Sequence, residues 1–84
     1  MTADQPSVSR VKGQLGYLFE ERPEMARASA AELAQWLSRE DRMARARAAD
    51  PLGADDAVRA AADRLDDRIT DAMVAEALRE IRPE

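Results

Sequence analysis

The larger apolar residues of this chain recur three and four positions apart in successive segments, the spacing of one face of an α-helix. Val8, Val11, Leu15, Leu18 and Phe19 form a first row. Met25, Ala26, Ser29, Ala30, Leu33, Trp36, Leu37, Met43 and Ala44 form a second, interrupted at Glu40. Val58, Ala61, Ala62, Leu65 and Ile69 make a third, and Val74, Ala77, Leu78 and Ile81 a fourth. Composition agrees, because Ala, Leu, Arg and Glu are strong helix formers. Of the residues that make up the 45% apolar fraction, 18 are alanines, which bury little area and let helices approach closely. The expected fold is all-α, a small three- or four-helix bundle. A chain of 84 residues buries only about 60% of its unfolded surface, so oligomerisation is a natural way to complete such a bundle.

Punctuation divides the rows. Residues 1–7, MTADQPS, lack periodicity and read as a flexible leader, and residues 8–84 read as a single helical domain with a break at 50–54. Ser7 or Ser9 can cap the first helix. That helix should end near Glu20, because Pro23 disfavours the α conformation at Arg22 and suits the first position of the next helix. Gly13 and Gly16 lie inside the first row, either as points of close helix approach or as simple weaknesses. The Asp50-Pro51-Leu52-Gly53 turn ends the second helix, after which Asp55 or Asp56 can cap a third.

The segment RLDDRITDAMVAEALREI, Arg64 to Ile81, admits two readings. At about 100° per residue, Val74, Leu78 and Ile81 project roughly opposite to Leu65 on a single straight helix. Such a helix would carry apolar rows on opposite faces. If Thr70 is instead an N-cap, Ile69 and Val74 occupy the two positions of a hydrophobic staple, and both rows can turn toward one core. The break is the preferred reading, although no Gly or Pro enforces it. Either way the Val74, Leu78 and Ile81 row is expected to be buried.

Little in the sequence points to chemistry. There is no Cys and no His, which removes thiolate and imidazole nucleophiles, bases and metal ligands together. Asp63 and Asp67 share a helical face, but Arg59 and Arg64 stand beside them, and a solvated face is the expected outcome. Glu40 and Glu76 lie near apolar rows, where a stem over the core with its carboxylate in water is the ordinary arrangement. No phosphate-binding glycine loop occurs, since GQLG lies within helical periodicity. No catalytic residue, cofactor or metal is therefore assigned, and the chain is not expected to be an enzyme.

Charge separates the two halves of a chain whose net charge is −4. Residues 51–84 are the acidic part and would repel free duplex DNA. Arg39, Arg42, Arg45 and Arg47 form a candidate basic patch, and Asp41 can pair with Arg45 one turn away. Tyr17, Phe19 and Trp36 hold the large aromatic surface and, with Val74, Leu78 and Ile81, are the candidate interface residues. The expected function is a small helical protein-protein interaction module, such as an adaptor, accessory subunit or regulator, with a protein partner or a second copy of itself. The alternative is a small dimeric DNA-binding transcriptional regulator using the Arg39–Arg47 face. No segment is long and apolar enough for a membrane span, and no secretory leader pattern occurs, so a cytoplasmic location is expected.

Overall fold

The computed structural model describes residues 6–81, which form four α-helices and one 3₁₀ turn with no strand among them. Residues 1–5 of the expected leader and 82–84 of the expected domain lie outside the described residues. Helix α1 spans Val8–Glu21, the 3₁₀ turn Pro23–Arg27, α2 Ala30–Ala49, α3 Asp55–Asp63 and α4 Asp71–Ile81.

Each boundary has a local cause. The Ser7 side chain accepts a hydrogen bond from the Arg10 amide at 3.2 Å and starts α1, and the chain leaves the helix just before Pro23. The second helix does not begin at Pro23 as expected. Residues 23–27 tighten into the 3₁₀ turn, and α2 starts only after Ser29, which accepts from the Glu32 amide while Glu32 accepts from the Ser29 amide. This reciprocal capping box satisfies two amides left unpaired by helix geometry. Ser29 is therefore an exposed cap rather than a member of the buried row. At the other end, the Gly53 amide donates to the Asp50 carbonyl at 3.1 Å and closes the turn. Ala54 takes the N-cap position of α3 with no side-chain cap, which places Asp55 and Asp56 in the first helical turn instead of at the cap.

The chain breaks between Arg64 and Thr70. The Arg64 and Leu65 amides fold back onto the Ala61 and Ala62 carbonyls, and residues 66–70 run without helix to Thr70. Thr70 then caps α4, its hydroxyl accepting from the Met73 amide at 3.2 Å. Leu65 and Ile69 consequently do not share a helical face. Ile69 is buried in the main core, whereas Leu65 packs against a smaller second cluster.

The main core joins Val11, Leu15 and Leu18 of α1, Leu33, Ala34 and Leu37 of α2, Ile69, and Val74 and Ala77 of α4. Helix α4 packs against both α1 and α2, and Lys12 of α1 meets Glu80 of α4 at 3.0 Å on its edge. The second cluster, Ala46, Val58 and Ala62, fastens α3 to the distal half of α2. No helix among the described residues is long and apolar enough to cross a membrane.

Candidate functional site

Two arrangements of side chains stand out, and the first accounts for most of the basic patch. Ser38, Asp41, Arg42 and Arg45 lie along one face of α2, turned toward residues 66–69. The Ser38 hydroxyl donates to the Ile69 carbonyl at 3.0 Å, and Arg45 donates to the Asp66 carbonyl at 2.6 Å. Asp41, with a side chain only 5% exposed, receives Arg45 at 3.0 Å and Arg68 at 2.9 Å. Arg42 Nε lies 2.9 Å from the Asp67 carboxylate, an ion pair at contact distance though off the hydrogen-bond line. Farther along, Arg47 bonds the Gly53 carbonyl at 2.8 Å and the Asp55 carboxylate at 2.7 Å.

Arg42, Arg45 and Arg47 are thus engaged within the molecule, whereas Arg39 is exposed and no ion pair among the described residues uses it. The expected cationic face is a clasp that holds the Arg64–Thr70 connection and the start of α3. Its centre is Asp41. Burial alone would raise the Asp41 pKa, but the Arg68 hydrogen bond and the charges of Arg45 and Arg68 outweigh burial and hold the carboxyl below its ordinary value. A carboxylate fixed as an anion between two guanidinium groups is a structural ion, not a poised general base. Glu40 and Glu76 are exposed, and no group of three or more acidic, His or Cys residues among those described could hold a metal ion.

The second arrangement is a groove of about 620 Å³ between α1 and α2. Its lining contains no residue of α4; α4 packs on both helices and leaves them parted along this side. Leu18 and Leu37 are core residues that also line the groove, with Gly13, Gln14, Tyr17 and Trp36 around them and Arg10, Glu21, Arg22 and Glu40 adding charge. Tyr17 is 67% exposed, an unusual state for so large a side chain. A Cβ at Gly13 or Gly16 would meet nothing within 4 Å among the described residues, so neither glycine serves a close approach between them. The Gln14 side-chain oxygen is shielded from solvent and has no hydrogen-bond partner among the described residues.

The six candidate interface residues separate accordingly. Val74 is fully buried, while Leu78, Ile81 and Phe19 pack as partly buried residues on the main core. Val74 is therefore spent on the intramolecular core rather than offered to a partner. Tyr17 and Trp36 are brought together at the groove. The polar members escaped notice in the sequence because they fall outside any apolar row. Their signal was the spacing of Arg10, Gln14, Tyr17 and Glu21, a second stripe on α1 beside the Val11, Leu15, Leu18 row.

No family model, curated protein or solved structure matches this chain.

Proposed function

We propose that this protein is a small helical interaction module that acts in the cytoplasm without catalysis, and that it docks a protein through the groove between α1 and α2. The observation that carries this reading is the groove itself. It gathers an exposed tyrosine, a half-buried tryptophan and core leucines around a shielded glutamine oxygen that lacks a donor among the described residues. Aromatic side chains beside an apolar floor are the usual anchors of protein interfaces. An unpaired buried acceptor costs about 1 to 3 kcal/mol, which an incoming donor would relieve. The nucleic-acid alternative draws no comparable support, because three of the four arginines it would use already hold carboxylates or carbonyls of the same chain.

The test is a pair of surface variants in the full chain. Tyr17→Arg places a charge in the groove, and Leu52→Arg places the same charge at a side chain that is 97% exposed and outside it. Associations made by the protein, with itself or with proteins co-purified from its host, should be lost in Tyr17→Arg and kept in Leu52→Arg, with both variants folded by circular dichroism. Equal retention of every association by the two variants would remove the groove as the docking site.

A further inference from the structure

The residues that α1 contributes to the groove follow the three- and four-residue spacing of any helix face, which reads the same in both directions. Arg10, Gly13, Gln14, Tyr17, Leu18 and Glu21 map onto one another when the helix is reversed about the bond between Leu15 and Gly16. Arg10 then faces Glu21, Gly13 faces Leu18 and Gln14 faces Tyr17. An antiparallel copy can therefore lie in register on this face, and what this chain adds is opposite charge at its two ends, Arg10 against Glu21, which a two-fold interface would pair twice.

Helix α1 is also charged against its own dipole. It has no acidic residue in its first turn and no basic residue in its last, while Arg10 lies near its N-terminus and Glu20 and Glu21 close its C-terminus. Both placements disfavour an isolated helix. Beside an antiparallel copy they become favourable, since Arg10 of each chain lies at the C-terminal end of the other α1 and Glu21 at its N-terminal end. Neither residue forms an ion pair among the described residues of its own chain.

We propose that the occupant of the groove is α1 of a second copy of this chain, running antiparallel, with paired Arg10–Glu21 contacts at the two ends and Tyr17 of each chain seated over Gly13 and Gln14 of the other. Open space at Gly13 admits the tyrosine ring. The Tyr17 hydroxyl supplies the donor that Gln14 lacks once the amide turns about its soft terminal torsion. This inference rests on the docking reading above and specifies the partner. The contact is confined to one helix face and its groove, so a weak dimer that dissociates in the micromolar range or above is expected.

The experiment is a charge swap in the full chain, read by analytical ultracentrifugation at low salt from about 10 µM to about 1 mM, a range set by the expected weakness of so small an interface. Arg10→Glu sets like charges against Glu21 of the other chain, Glu21→Arg does the same against Arg10, and each acts at two symmetric places. Each single variant should weaken dimerisation about tenfold or more. The double variant Arg10→Glu/Glu21→Arg should dimerise more tightly than either single because the pairs are re-formed with reversed sign, while staying weaker than the original because both charges then oppose the ends of the neighbouring helix. Both positions are exposed, and circular dichroism verifies that the variants fold. A heterologous partner with fixed charges would bind the double variant worst of all. Singles as dimeric as the original, or a double variant weaker than both, overturn the antiparallel pairing. A chain that stays monomeric while a host protein is still held through Tyr17 overturns the second copy alone and leaves the docking reading standing. Loss of both associations from the groove overturns both.

Discussion

Asp41 and Thr70 are the two side chains on which the course of the second half of the chain turns. Asp41 binds α2 to the Arg64–Thr70 connection through Arg68 and is braced by Arg45. Asp41→Asn removes the charge both arginines answer, and the variant should lose about 1 to 3 kcal/mol at neutral pH. The pH dependence has a defined sign. The ordinary carboxyl value of 3.8 is lowered in the folded protein, so between those two values the unfolded chain binds the proton more readily. The stabilisation is complete at neutral pH and is lost as pH falls through 3.8 and on through the folded value. Urea denaturation should therefore show the gap between the original protein and Asp41→Asn narrowing below that point, and a constant gap down to strong acid would exclude the assignment. For Thr70, deletion of the cap hydroxyl in Thr70→Ala should destabilise the protein by about 1 kcal/mol. A stabilised variant is the outcome expected of a Thr in the interior of a continuous helix, and it would contradict the cap.

Among the helices, α3 is the least secured. It spans nine residues, rests on α2 through a small alanine-rich cluster, and is tied at its start by the two bonds from Arg47. Its cap position holds Ala54 in an extended conformation, φ −67° and ψ 153°, the geometry in which a serine can accept from the helix amides. Ala54→Ser should stabilise α3 by about 0.5 to 1 kcal/mol. Hydrogen exchange is the direct measurement: the α3 amides should exchange faster than those of α1, α2 and α4 in the original protein and slow in the variant. Unchanged α3 exchange in Ala54→Ser would mean that the new hydroxyl does not cap. In contrast, α2 starts with the Ser29–Glu32 box already in place, so the same kind of substitution has nothing to add there.

For the molecule as a whole, a small core leaves a small margin. Leu15, Leu33 and Leu37 are among the largest fully buried side chains, and much of what surrounds them is Ala or partly exposed. Leu15→Ala opens a cavity in the main core and should cost about 2 to 5 kcal/mol, a large share of a folding margin of roughly 0.05 to 0.15 kcal/mol per residue. Thermal unfolding at low concentration should show a sharply lowered midpoint or no cooperative transition. Retention of the original midpoint would mean that this core is not the source of stability. If the chain dimerises through α1, its midpoint should also rise with protein concentration, since association stabilises only the folded state.

What could be read without a structure was whatever depends on residues close in sequence. The three- and four-residue spacing of apolar side chains marked the helices, Pro51 and Gly53 marked the sharpest turn, and the opposed projections of Leu65 and Val74 pointed to a break at Thr70. The Ser29–Glu32 box was equally local and could have been read, but an apolar row drawn straight through Ser29 concealed it. Contacts between distant segments decided the rest. The four arginines of α2 look alike along the chain, yet three are consumed because Asp55, the Asp66 carbonyl and Asp67 fold back against them, and nothing in their own spacing announces those acceptors. In the same way, Val74 and Tyr17 are both large side chains on helical stripes. Only the docking of α4 against α1 and α2 encloses the first and leaves the second beside an open groove, because burial is a property of what packs against a residue and not of the residue itself.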